Sequence, residues 1–187
     1  MKKSLFILVI TFGFLTCKAQ HIIPIEEVVN YHDDENGVMG DKDYVYVKDV
    51  NNVLGKYIGD WAGSQNGKSY FFRISKITTD DGELKIDKLL MRYTITESNG
   101  TVIENTLNLP DSKVRTGGGY MDKTVYVFNY HGENSSCGRN GTIFTEVRQV
   151  NGAAVLRLFL VEGGELWDCD TPVPQTMPTE PIMAAKQ

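Results

Sequence analysis

Three Asn-Gly pairs constrain this chain more than any other feature. Asn66-Gly67, Asn99-Gly100 and Asn151-Gly152 each stand between runs rich in β-branched and aromatic residues. The tightest hairpin turn needs positive φ at both central positions, which asparagine and glycine tolerate best. Each pair therefore fixes a strand register that the flanking residues can test. About Asn151-Gly152, Ile143 faces Leu160, Phe144 faces Phe159, Glu146 faces Arg157 and Val147 faces Leu156. Matched cross-strand pairs of these kinds contribute about 0.2–1 kcal/mol each. About Asn66-Gly67, Gly59 faces Ile74, Asp60 faces Arg73 and Trp61 faces Phe72. Trp61, Phe72 and Ile74 then form the fold-defining core face, with Gly59 leaving room beside the indole and Asp60 pairing with Arg73 on the other face. The Asn99-Gly100 hairpin is less tidy. Leu89, Met91, Tyr93 and Ile95 alternate well, but Ile95 then faces Glu104, so a bulge or a longer turn is expected.

Strands are expected near 43–48, 56–63, 69–77, 84–96, 102–108, 123–130, 141–150 and 153–161. No segment between them carries a helical period over three turns. "PIEEVVNY" (24–31) is expected as one short helix or an extended arm. "RTGGGY" (115–120) reads as a flexible loop, with a lid over a barrel mouth as the rarer use. It lacks the Lys-Ser/Thr of a phosphate loop and precedes a strand rather than a helix. Residues 171–187 hold four of the six prolines and are expected as an irregular tail over the surface. The fold class expected is all-β: one antiparallel up-and-down barrel of about eight strands, with a two-sheet sandwich as the alternative. The domain plan is an export signal (1–19), an N-terminal arm and acidic loop (20–42), the barrel (43–170) and the Pro-rich tail (171–187).

The opening "MKKSLFILVITFGFLTCKAQ" has a charged start, an apolar run too short to span a bilayer, and small residues at Cys17 and Ala19. It reads as an export signal cut after Ala19. The rival reading makes Cys17 a lipidated first residue, although Phe14-Leu15-Thr16 is a poor match to the sequence that usually precedes such a cysteine. Removing residues 1–19 takes away Lys2, Lys3 and Lys18 and leaves a charge of about −8, against −5 for the whole chain. That surplus of acid argues against nucleic acid and against electrostatic binding to anionic lipid. Cys137 and Cys169 remain under either processing, and an even pair in an exported chain is expected to form a disulfide. Closing that loop would stabilise the fold by about 3–4 kcal/mol on the chain-entropy model.

Two resemblances follow from these residues. Gly59-Asp60-Trp61 on an early long strand resembles the Gly-x-Trp of lipocalin-like barrels. In those barrels the tryptophan packs across the closed end, often under a late basic residue. Arg157 is the candidate for that part, although the hairpin register sets it opposite Glu146. The segments "YVKDVNNVLGKYIGDWAG", "LLMRYTITESNGTVIENTLNLP" and "SSCGRNGTIFTEV", with the exported N-terminus, resemble a family of small exported bacterial proteins known only as a domain of unknown function. That likeness implies export and one compact β domain. It implies no activity, ligand or catalytic residue.

Few residues suggest chemistry. "HDDENGVMGDKD" (32–43) sets Asp34, Asn36, Gly37 and Asp43 at calcium-loop spacing, but His32 stands at the first ligand position and no helices flank it. It reads as a solvated acidic loop. No metal or other cofactor is expected, and no catalytic residue is assigned. His131 lies near Glu133, Ser135 and Ser136, yet neighbours on one loop seldom converge on a substrate. Glu97, Glu104, Glu133, Glu146, Glu162, Glu165 and Asp168 are scattered, and nothing selects a glycosidase pair. Strand tyrosines such as Tyr70, Tyr93, Tyr126 and Tyr130 suit a barrel wall, or a pocket for sugars or flat apolar ligands. The function expected is therefore a non-enzymatic, exported barrel that binds a small apolar, amphipathic or sugar ligand, or a protein partner, at the cell envelope. Its expected place is the periplasm, the outer membrane as a lipoprotein, or the medium, with membrane contact only through a lipid on Cys17. The alternative is an envelope hydrolase, or a hydrolase inhibitor, acting on glycan or cell-wall material.

Overall fold

A computed structural model describes residues 21–31, 35, 37–133, 135–163, 169, 171 and 173–187. The expected export signal with Cys17, residues His32, Asp34 and Asn36 of the acidic loop, and the acids Glu165 and Asp168 lie outside the described residues.

Among the described residues eleven strands run in chain order: β1 His21–Pro24, β2 Val45–Lys48, β3 Gly59–Gln65, β4 Lys68–Asp80, β5 Leu84–Glu97, β6 Val102–Asn105, β7 Gly117–Asp122, β8 Val125–His131, β9 Asn140–Val150, β10 Ala153–Glu162 and β11 Ile182–Lys186. Eight of them close a barrel. Its antiparallel order is β3-β4-β5-β7-β8-β9-β10-β11, and β11 returns to β3. The chain is thus an all-β protein with a closed up-and-down barrel, and the sandwich alternative is set aside. No helix among the described residues is long and apolar enough to cross a membrane.

Two of the expected staves stand outside the barrel. The 43–48 segment is β2, which pairs in parallel with β1 and with the start of β5. The 102–108 segment shortens to β6, a flap on the far end of β5. Their places are taken by β7, from the glycine-rich stretch expected as a loop, and by β11, from the tail expected to be irregular. The barrel thus runs past residue 170 to the end of the chain. Residues 24–31 make a 3-10 helix, Ile25–Tyr31, after β1.

The registers read from Asn66-Gly67 and Asn151-Gly152 are those observed, including Trp61↔Phe72, Gly59↔Ile74, Asp60↔Arg73 and Phe144↔Phe159. Both turns have positive φ at asparagine and glycine. Trp61, Phe72 and Ile74 point inward and are buried. Outside, Arg73 grips Asp60 through two hydrogen bonds of 2.8 and 2.9 Å. Phe144 and Phe159 stack at 5.3 Å. Glu146 and Arg157 face each other in the ladder, but Glu146 makes its ion pair with Arg148 and the Arg157 guanidinium lies 5.0 Å over the Phe159 ring.

The closed end follows the lipocalin-like pattern with a different basic residue. A 3-10 turn, Gly55–Tyr57, precedes β3, and the Trp61 indole donates to the Tyr57 carbonyl at 2.9 Å. Lys186 on β11 faces Trp61 in register, and its ammonium sits 5.2 Å from the ring centroid. The part expected of Arg157 falls to Lys186, because β11 and not β10 neighbours β3. The room at Gly59 serves that lysine, whose Cε lies 3.1 Å from where a Cβ would stand.

Large aromatic side chains fill the barrel. Tyr57, Tyr93, Tyr126, Tyr130, Phe72 and Phe128 are all buried, with Tyr126 against Phe128 at 4.7 Å and Tyr57 against Tyr126 at 5.9 Å. Burial pushes the phenols of Tyr126 and Tyr130 up to about 12 and raises Tyr57 and Tyr93 further. An acid raised on folding contributes stability below its unfolded value, near 10, and loses it as pH climbs towards the folded value. Urea midpoints are accordingly expected to fall between about pH 10 and 12, together with a cooperative rise in phenolate absorbance. Phenols titrating near pH 10 with no loss of structure would contradict that burial.

The seam between β5 and β7 is thin. It holds one residue pair, Leu90↔Gly117, with Met91 N–H donating to the Thr116 carbonyl at 3.0 Å. A Cβ on Gly117 would meet Leu90 Cδ2 at 2.4 Å and the Leu89 carbonyl oxygen at 3.2 Å, so a side chain there would force Leu90 to repack. From inside, the Tyr126 hydroxyl accepts from Leu89 N–H and donates to the Gly118 carbonyl, both at 3.0 Å. A side chain thus replaces the missing ladder bonds. Tyr126→Phe leaves a buried N–H without a partner and is expected to cost about 1–3 kcal/mol in urea unfolding. A loss below about 0.5 kcal/mol would remove this role from the hydroxyl.

Candidate functional site

Beyond the Leu90–Gly117 contact the wall splays. β5 follows β6 to one side while β8 continues on the other, and a cavity of about 230 Å³ opens in the wedge. Met91 and Tyr93 of β5 line it together with Glu104 and Asn105 of β6. Thr106, Leu109, Lys113, Val114, Arg115 and Thr116 come from the β6–β7 connection, and His131, Gly132 and Glu133 from the end of β8.

Glu104 owes its position to the untidy third hairpin. The turn there is longer than two residues, with Glu97 N–H bonded to the Thr101 carbonyl and Gly100 at φ +87°. A bulge then shifts the register between Ile95 and Thr96, so that Ile95 faces Glu104. Residues opposite one another in an antiparallel pair share a face. Ile95 points inward, and the carboxylate goes with it.

Glu104 is only 6% exposed. Its Oε1 accepts from the Tyr93 hydroxyl at 2.6 Å and from Glu133 N–H at 3.0 Å, and its Oε2 accepts from Thr176 Oγ1 at 3.1 Å. A carboxylate has about four acceptor positions, and three are filled. No ion pair joins it to any described residue. The Tyr130 hydroxyl lies buried nearby, close to Tyr93 and Thr176 without a well-formed hydrogen bond to either.

The mouth is charged differently. Lys113, Arg115, His131 and Glu133 are exposed at it. Arg115 donates to Ser135 Oγ at 3.2 Å, which draws the β6–β7 connection towards the β8–β9 loop. Cys137 and Cys169 form the expected disulfide, with Cα atoms 5.3 Å apart. It pins the β10–β11 connection beside the cavity, where Val173 N–H bonds to the Cys137 carbonyl at 2.7 Å and Arg139 Nε to the Pro174 carbonyl at 3.1 Å. Thr176 reaches Glu104 because of those ties.

Of the candidates read from the sequence, His131, Glu104 and Glu133 come together here, while Glu97, Glu146 and Glu162 lie elsewhere on the barrel. Among the described residues no cluster of three or more side chains is arranged to hold a metal. A second pair of buried acids, Asp49 and Asp87, is consumed structurally. Asp87 accepts from Tyr46, Thr78 and the Asp49 N–H, and Asp49 from Lys76, which fastens the β2 segment to the barrel. Sequence reasoning did not single out Glu104 with Tyr93 and Thr176. The signal it did hold was the mismatch of Glu104 with Ile95.

Residues 1–148 match the model of a family of unknown function (DUF6705). The chain belongs to that family. Every residue lining the cavity falls inside the DUF6705 match, whereas β10, β11 and Thr176 fall beyond it. No curated protein and no solved structure matches the chain.

Proposed function

We propose that this DUF6705 protein is an exported, non-enzymatic binding protein whose ligand site is the cavity in the barrel wall rather than the barrel interior. The observation that carries this reading is the convergence of Glu104, Tyr93, Lys113, Arg115 and His131 on one cavity with an apolar lining of Met91, Leu109 and Val114. Concave, partly apolar sites with a few placed polar groups are the usual form of a small-molecule site. A lipocalin-like central pocket has less support, because aromatic side chains occupy the interior. Export rests on the N-terminal pattern and agrees with a disulfide. A fragment screen by amide chemical shifts tests the site. Hits are expected to move residues 104–106, 113–116 and 131–133 as one group. Hits confined to other faces, or none at millimolar fragment, would contradict it.

One observation keeps an envelope hydrolase in view: His131, Glu104 and Glu133 line the same cavity. Hydrolysis of a glycan or cell-wall substrate that is lost in both Glu104→Gln and His131→Ala, with the fold retained, would favour that reading over binding alone.

A further inference from the structure

The cavity separates its charges by depth. The acid Glu104 is inside, and the bases Lys113 and Arg115 stand outside with the exposed Glu133 beside them. Glu104 is a buried carboxylate with no cation paired to it among the described residues, and among them one acceptor position on Oε2 is unfilled. A buried charge is costly unless it is hydrogen-bonded and paired, and Tyr93, Thr176 and the Glu133 N–H supply only the first. Lys113 and Arg115 stand at the mouth, and neither makes an ion pair with a described residue. Met91, Leu109 and Val114 give the cavity its apolar lining, with Met91 buried and Leu109 exposed at the mouth.

Size narrows the occupant. About 230 Å³ falls below the roughly 300–1,000 Å³ of drug-sized sites, so a lipid chain or an extended glycan does not fit inside. A purely anionic ligand would leave Glu104 uncompensated and would bring a second negative charge towards it. A purely cationic one would pass two like charges at the mouth. A short molecule with a cationic end, a few methylenes and an anionic end would pair Glu104 at one end and Lys113 and Arg115 at the other.

We propose that the cavity binds a compact zwitterion of amino-acid to dipeptide size, with its ammonium on Glu104 and its carboxylate on Lys113 and Arg115. This rests on the cavity being the binding site, and it adds the chemical class of the ligand.

Three probes with the same five-carbon chain separate the terms: 5-aminopentanoate carries both charges, pentylamine only the cation and pentanoate only the anion. Titrations followed by amide chemical shifts are expected to give 5-aminopentanoate at least tenfold tighter than either of the others. Glu104→Gln should weaken 5-aminopentanoate at least tenfold and leave pentanoate no weaker, because the opposing negative charge is gone. Because Glu104 also ties three segments together, the exposed double variant Lys113→Ala/Arg115→Ala provides an independent arm. It should weaken 5-aminopentanoate at least tenfold and leave pentylamine no weaker, because the like charges at the mouth are gone. Pentanoate or pentylamine binding in the cavity as tightly as 5-aminopentanoate would overturn the zwitterion assignment and leave the binding site standing. An unchanged affinity in the double variant would do the same. Failure of all three probes to move any cavity residue would overturn the assignment and count against the site itself.

Discussion

Truncation after Pro181 is expected to abolish the folded monomer. The cut removes only β11 and Gln187, but β11 is the stave that closes the barrel. Ile182 and Ala184 are buried in the core, and the strand pairs with β10 through four residues and with β3 through two. Gln187 N–H also bonds to the Asp60 carbonyl at 2.9 Å. Losing the buried isoleucine alone costs about 2–5 kcal/mol. Adding the ladder and the uncovered end of the barrel brings the loss to the order of the whole stability of a domain, about 5–15 kcal/mol. The bare edges of β3 and β10 would then pair with other chains. Aggregation or a collapsed circular-dichroism signal is the expected result. A soluble truncated protein with the urea midpoint of the full chain would show that the barrel does not need its last stave.

Trp61→Ala carries the second large effect. The indole is fully buried at the closed end, held by the Tyr57 carbonyl and covered by Lys186. Truncating a buried aromatic to alanine costs about 3–5 kcal/mol, and here the cavity would undercut the Gly55–Tyr57 turn as well. Lys186→Met removes only the cation above the ring and is expected to cost about 1 kcal/mol or less. Equal losses in the two variants would show that the lysine, rather than the burial of the indole, organises this end. Urea unfolding of both separates the cases.

The local part of this fold was legible in the sequence, and the non-local part was not. Asn66-Gly67 and Asn151-Gly152 dictate their own turns, so four strands and their registers could be read from adjacent residues. β7 escaped because its glycines serve a close approach at Gly117 and positive φ at Gly118 and Gly119, and its hairpin turns on Lys123 at φ +53° with no Asn-Gly signal. β11 escaped because five residues behind a proline-rich connection gain strand character only from partners far away in the chain. The segment 43–48 has strand composition, but its parallel pairing lies outside the barrel and depends on where β5 begins. The site was half visible. The poor match of Glu104 to Ile95 announced the bulge, and the bulge places the carboxylate in the interior. What no local pattern held is the meeting of Glu104 with Tyr93, Glu133 and Thr176, which needs the β8 end and the disulfide-pinned connection in place.

The most direct test is a native mass spectrum of the mature protein purified from its own cells, beside a Leu109→Trp variant purified in the same way. Leu109 is exposed at the cavity mouth, so the larger side chain fills the site without disturbing the core. The account predicts an added mass of a few hundred daltons or less on the wild type, lost on denaturation and missing from Leu109→Trp. It also predicts a polypeptide that begins after Ala19, or at a lipidated Cys17. A bare, unprocessed polypeptide, or a bound mass that survives in Leu109→Trp, would contradict the reading of this barrel as an exported protein that binds its ligand in the wall.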